Sequence, residues 1–273
     1  MQALTLKMCI VVVHRLLTWL KLFLNSTNVQ QCSLKQQRMA AAERTFSDVK
    51  EIILSAHKDT VAEDKVGFYN NWANNYEQDV EILDYRAPYL AAECLSAAFP
   101  GDRDRAVVLD VACGTGLVAS LLQKMGFQNF HGVDGSEGML RLAHRKGLYQ
   151  DLKQCILGAQ PLPAPAENYD AVLIVGALSV GQVPCSVIRE LWQVTKPGGY
   201  VCMTTRANAS NREYKEELES VLQLMEQTAL WSRVTVLEED LWEKAVSDQE
   251  SGYIPGVVYL YRKSVGATPP LNS

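Results

Sequence analysis

Residues 107 to 117 read Val-Val-Leu-Asp-Val-Ala-Cys-Gly-Thr-Gly-Leu, a short apolar run that passes through Gly114-x-Gly116 into a helical pattern. Glycines at that place let a ligand approach the backbone, and the N-terminus of the following helix offers N–H groups that the helix itself leaves unpaired. Alone, the two glycines equally describe a tight strand-to-helix connection. Asp134 sharpens the reading. It ends the run His131-Gly132-Val133, 18 residues beyond Gly116, where a carboxylate accepts hydrogen bonds from both hydroxyls of a ribose. Singly, Asp134 is equally a helix N-cap and Cys113 a small buried residue; jointly these features point to an adenosine-containing ligand.

Two ligands compete for that geometry, because Gly114-Thr115-Gly116-Leu117-Val118-Ala119 also fits the relaxed fingerprint of a nicotinamide dinucleotide site. Charge separates them. A dinucleotide sets an anionic pyrophosphate near Asp110, which repels it, whereas S-adenosylmethionine has no phosphate and carries a sulfonium and an ammonium that a carboxylate attracts. The oxidoreductase reading also lacks a Tyr-x-x-x-Lys pair after the fourth expected strand. Metal chemistry has no support: the four histidines never fall at H-E-x-x-H spacing, and the seven cysteines include no C-x-x-C pair. Scattered, odd-numbered cysteines fit a reducing compartment, so a cytoplasmic and also nuclear location is expected.

The elements that position these residues follow from periodicity. Apolar residues between Ala42 and Ala56 recur at three and four, and Tyr69, Trp72 and Tyr76 fall at i, i+3 and i+7, so two helices are expected before the core. After the turn cluster Phe99-Pro100-Gly101-Asp102, strands are expected at 107–111, 130–133, 155–157, 171–175 and 200–205, with helices at 117–125, 138–146 and 187–194 between them. A long helix near 211–230 precedes two last strands, at 234–237 and 257–261. This alternation predicts an α/β fold, doubly wound, with a mostly parallel seven-stranded sheet and helices on both faces. The expected organisation is N-terminal helices and cofactor lid over 39–100, a ligand-binding domain over 101–264 and a tail over 265–273.

Lys plus Arg at 26 against Asp plus Glu at 31 gives a formal charge of −5, and residues 1 to 38 hold five cations and no acid. The body is therefore acidic, which argues against nucleic acid as a partner. Residues 4 to 24 read as a basic amphipathic helix. As a membrane span it carries a central Arg15, costing ~2.5 to 3.5 kcal/mol, so no stable span is expected. It also resembles an organelle transit peptide, so organelle targeting stays open. The preferred reading makes 1–38 an extension outside the fold, because Met39-Ala-Ala-Ala is itself a suitable start. A monomer is expected.

The stretches DVACGTG at 110–116, HGVDGS at 131–136, FYNNWANNYEQD at 68–79, YDAVLIVGAL at 169–178 and TKPGG at 195–199 resemble class I S-adenosylmethionine-dependent methyltransferases, over roughly residues 60 to 263. The resemblance implies that Asp110, Ala112, Cys113, Gly114, Thr115 and Gly116 face the donor's methionine end. It sets the ribose on Asp134, with Gly135 and Ser136 lining the turn beneath. It places adenine between Met139 and the Gly158-Ala159-Gln160 stretch, where relatives carry an Asp at the position of Gly158. Val175 stands after the fourth strand, without the Asn-Pro-Pro-Tyr tetrapeptide of amide and base-amine methyltransferases. Tyr69, Trp72 and Tyr76 become a lid suited to a sulfonium by cation-π attraction, and Arg86 reaches the methionine carboxylate. Without the resemblance, Met139 and the aromatic stripe are core residues and Arg86 a surface residue. The implied activity is methyl transfer to a small-molecule or protein acceptor, with no catalytic residue assigned. The alternative is a protein that binds S-adenosylmethionine as a sensor or partner subunit without turnover.

Overall fold

The computed structural model describes residues 44–56, 62–247 and 249–266. The expectations for residues 1–38 and for most of the 265–273 tail lie outside them. The chain divides after Thr45, and the helices and strands of the fold all belong to the unit that begins at Phe46.

Four helices precede the first strand among the described residues: α1 (Phe46–Ala56), α2 (Ala62–Trp72), α3 (Tyr76–Ile82) and α4 (Ala87–Ala98). Two were expected. The aromatic stripe does not ride on one helix, because a 3₁₀ turn at Ala73–Asn75 separates Tyr69 and Trp72 on α2 from Tyr76 on α3. The helix α4 went unread because its alanine-rich run, buried at Ala87, Ala91, Ala92 and Leu95, lacks a polar face that would mark its period.

The remaining elements alternate as expected: β1 (Val107–Val111), α5 (Leu117–Lys124), β2 (Asn129–Asp134), α6 (Glu137–Arg145), β3 (Tyr149–Gln154), β4 (Tyr169–Leu178), α7 (Val187–Val194), β5 (Thr195–Arg206), α8 (Arg212–Gln227), β6 (Trp231–Lys244) and β7 (Tyr253–Lys263). They form a seven-stranded sheet in the order β3-β2-β1-β4-β5-β7-β6, with β7 antiparallel to both its neighbours and the other pairings parallel. This is the doubly wound, mostly parallel sheet that the alternation predicts. Strand order reverses between β1 and β4, the switch point where such sheets open a crevice. One face buries Leu109, Val111, Ile174, Ile188 and Leu191, and the other Val108, Leu122, Phe130, Leu173 and Leu95.

The third strand is a correction. It was expected at 155–157, the apolar Cys-Ile-Leu run, but the strand is Tyr149–Gln154 and Cys155 lies just past its end. An edge strand has one neighbour and keeps a solvated side, so Gln150, Asp151, Lys153 and Gln154 suit it while hiding it from an apolar-run search. Central β4, by contrast, buries Ala171, Val172, Leu173 and Ile174 in succession.

Candidate functional site

The C-terminal ends of β1, β2 and β4 open into one cavity, which encloses about 1240 Å³ with its open mouth included. At the end of β1 the chain turns through Ala112 and Gly114, both at positive φ (55° each), and Gly116 (83°) before α5 begins. A Cβ on Gly114 would meet nothing within 4 Å, so space lies open beside that backbone. Gly116 is glycine for a different reason: the Tyr149 ring stands where its Cβ would point, 3.0 Å away.

Asp134 closes the opposite wall. Its Oδ2 accepts from the Gly114 N–H and its Oδ1 from the Ser136 N–H, both at 2.8 Å, which ties the β2 turn to the glycine loop. Burial raises its pKa, and the two N–H donors oppose that shift. Ser136 caps α6 by accepting from Met139 N at 3.1 Å, with Glu137 in the first turn and His144 and Arg145 in the last to match the helix dipole. Met139 is 2% exposed, and what it shows it shows to the cavity.

Above these walls sit α2 and α3. Asn70 Oδ1 accepts from both Ser136 Oγ and Gly138 N at 2.8 Å. Gly138 permits that approach, since a Cβ there would lie 2.8 Å from the Asn70 carbonyl. Glu77 Oε1 accepts from Thr115 Oγ1 and from Lys146 Nζ, each at 2.6 Å, and so fastens α3 to the glycine loop. Trp72 is buried, donating to Asp79 Oδ2 at 2.6 Å, and its ring meets Tyr76 edge-on at 4.9 Å. Burial pushes the Tyr69 phenol up to about 12 and Tyr76 and Tyr85 well above the usual range, so all three hydroxyls keep their protons.

Of the residues singled out in the sequence, the cavity brings together Ala112, Gly114, Asp134, Gly135, Ser136, Met139 and Val175 with Tyr69, Trp72 and Tyr76. Others stand behind its walls. Asp110 is 2% exposed and accepts from the Tyr149 hydroxyl at 2.7 Å; burial raises its pKa to about 7 against that bond. Cys113, Thr115 and Gly116 shape the loop from behind. Gly158 turns at φ 81° against Pro184, Ala159 N donates to Ile156 O, and Gln160 Oε1 accepts from Ile156 N. The wall on that side is Cys155, Ile156 and Leu157 instead. Arg86 also lies off the cavity lining: it pairs with Glu239 at 3.1 Å and donates to the Leu241 carbonyl on β6.

The sequence reading missed Tyr85, Gln182, Arg206 and Glu243, which line the end away from Asp134. Arg206 Nε lies 2.6 Å from Glu243 Oε1. Burial pulls the Arg206 pKa down, but the Glu243 charge and hydrogen bond together with Tyr85 and Tyr69 outweigh it, and the net direction is up. A charged residue closing the apolar run of β5 was the one available signal; Glu243 had none.

A methyltransferase-domain family model matches residues 109–203. Methyltransferase-like protein 27 of Homo sapiens is 54% identical over 199 residues, covering 72% of this chain and 81% of that protein. The chain belongs to the class I methyltransferases. A demethylmenaquinone methyltransferase of Symbiobacterium thermophilum is 38% identical over 112 residues, which span 38% of this methyltransferase and 43% of that one. In fold, the solved complex between the Haloferax volcanii Trm112 methyltransferase activator and a methyltransferase superposes with a TM-score of 0.51 at 17% identity, covering 72% of this chain and 97% of that one. Among the described residues no helix is long and apolar enough to cross a membrane, and no cluster of His, Cys, Asp and Glu could hold a metal ion.

Proposed function

We propose that the cavity binds S-adenosylmethionine and passes its methyl group to a small-molecule or protein acceptor. Family membership implies the donor. The observation that carries the reading is Asp134, a carboxylate held by two backbone N–H groups yet still facing the cavity beside the open flank of Gly114. Each of its oxygens has a further lone pair, so it fits a ribose diol without giving up its backbone partners. Gly114 and Ala112 would face the methionine end, and Met139, Ile156 and Leu157 would hold adenine in place of the 158–160 stretch. When bound, the donor supplies a methyl carbon activated by its sulfonium. The chain then has to orient the acceptor and exclude water, a task suited to the rings of Tyr69, Trp72 and Tyr76 in the cavity wall.

Asp110 acts indirectly in this reading, through the loop it supports. The described cysteines are all free thiols, which supports the cytoplasm as the compartment. The activity for which the Symbiobacterium relative is named, on demethylmenaquinone, supports the small-molecule half of the acceptor reading. Calorimetric titration with S-adenosylmethionine, S-adenosylhomocysteine and NADH tests the ligand: the first two bind and NADH does not. Uptake of NADH in their place overturns the donor. A methyl-transfer screen of cell extract then separates turnover from binding alone.

A further inference from the structure

The end of the cavity away from Asp134 is built by residues far apart in sequence. Arg206 is the last residue of β5, and Glu243 lies near the end of β6, with β7 running between them. The register sets Arg206 opposite Gly256 and Gly256 opposite Glu239, after which an irregularity between Glu239 and Glu243 re-aims β6. Gly256 carries no side chain, and the Trp242 ring takes the space where one would stand. Arg206 and Glu243 therefore meet across a strand. Glu243 is 5% exposed and lines the cavity, and beyond the ion pair its Oε1 has no hydrogen-bond donor among the described residues. The Tyr85 hydroxyl comes against Gly176 at the end of β4, and the charges of Glu243 and Arg206 both act on that phenol.

A buried carboxylate that lines a ring-walled cavity is placed to accept a proton from a molecule held there. The chemistry of the acceptor decides what proton that is. A neutral amine attacks through its own lone pair without losing a proton first, so it has less need of a carboxylate beside it. A hydroxyl must shed its proton as it attacks, and the charge growing on its oxygen is one Arg206 attracts. The surrounding walls are the rings of Tyr69, Tyr76 and Tyr85 with Ile53, Val80 and Leu83, a setting for a flat apolar body.

We propose that Glu243 is the proton acceptor of the transfer and that the methyl acceptor is a small aromatic compound bearing a hydroxyl group. This rests on the reading of the cavity as an S-adenosylmethionine site. The acceptor's O–H bond breaks and its proton passes to the Glu243 carboxylate. The oxygen keeps the electron pair and bonds the methyl carbon, while the pair of the broken carbon–sulfur bond returns to sulfur. Arg206 changes no bond; it orients the Glu243 carboxylate and steadies the oxygen.

The test uses the full chain saturated with S-adenosylhomocysteine and three probes: 1-naphthol, 2-naphthol and catechol, each beside its methyl ether. Calorimetry should show at least one hydroxyl form binding about tenfold more tightly than its ether, as a bond to a charged acceptor gives. Release of S-adenosylhomocysteine from S-adenosylmethionine with that probe should fall at least about a hundredfold in Glu243→Gln. Affinity for S-adenosylhomocysteine should stay unchanged in that variant, and Glu243→Asp should restore part of the rate. Equal binding of every hydroxyl and its ether overturns the acceptor class. Wild-type turnover in a folded Glu243→Gln overturns the role of Glu243. Should that variant not fold, the binding comparison in the wild type and the rate of Glu243→Asp still decide. Failure of the wild type to bind S-adenosylhomocysteine at all overturns the donor reading instead, and is seen before any probe is added.

Discussion

The two ends of the cavity are made in opposite ways. The Asp134 end is built largely of backbone, in turns joining neighbouring elements, and its lining from the first three strands lies within 112–157. The Arg206–Glu243 end is built of side chains drawn from α1, α2, α3, β5 and β6, up to 190 residues apart (Ile53 to Glu243). A ligand common to a whole family can be met by a contiguous loop whose geometry glycines enforce. In the proposed reading, an acceptor particular to one enzyme is met by what the later strands bring back across the sheet.

Trp72→Ala should have the largest effect. Its indole is buried in the cavity wall, so loss of the ring and of its bond to Asp79 should cost about 3 to 5 kcal/mol of folding stability by chemical denaturation. A small loss of stability with weakened ligand binding would instead make α2 a detachable cover, and the contrast between the two ends would become one of motion. Asp134→Ala probes the other end and should weaken S-adenosylhomocysteine binding by about 1.5 to 3 kcal/mol in calorimetry. An unchanged dissociation constant in a folded variant moves the ribose elsewhere and dissolves the distinction.

Asp110→Asn comes next, with an effect that depends on pH. The folded pKa of about 7 lies above the ordinary value of 3.8, so between those limits the folded protein holds a proton that the unfolded chain has released. Wild-type stability therefore falls as pH rises toward 7 and levels off above it, while the Asn variant lacks that slope. The gap in thermal midpoint, variant minus wild type, should grow from pH 5 to pH 8; a constant gap would mean Asp110 is not protonated in the fold. The smallest effect is expected at the seam. Asn70→Ala removes one acceptor of two hydrogen bonds, about 0.5 to 1.5 kcal/mol. It should speed amide exchange of residues 66 to 80 and reduce the extra protection that S-adenosylhomocysteine confers there. Exchange unchanged by both the substitution and the ligand would leave α2 as fixed core.

The same contrast governs how much could be read in advance. The strand-to-helix alternation, Gly114, Gly116 and Asp134 were legible because local spacing alone defines them. Asp110 was legible as a loop carboxylate, but nothing in its own segment shows that Tyr149, 39 residues on, donates to it. The third strand was misplaced because an edge strand is allowed to be polar. The resemblance set Arg86 on the ligand, and its pairing with Glu239 could not be read locally because that residue lies 153 positions away. The pairing of Arg206 with Glu243 depends on β7 folding between them, which no local pattern encodes.

The irregularity in β6 carries one more consequence. Side chains along a strand alternate between faces, so a one-residue insertion or deletion between Glu239 and Glu243 would exchange the faces of everything after it. Either Trp242 or Lys244 would then arrive at the place Glu243 now holds, leaving the cavity with an indole or a second cation beside Arg206. If that end receives the acceptor as proposed, the choice of acceptor rests as much on the count of residues along this edge strand as on which residues they are, and length changes there would redirect it while the glycine loop went untouched.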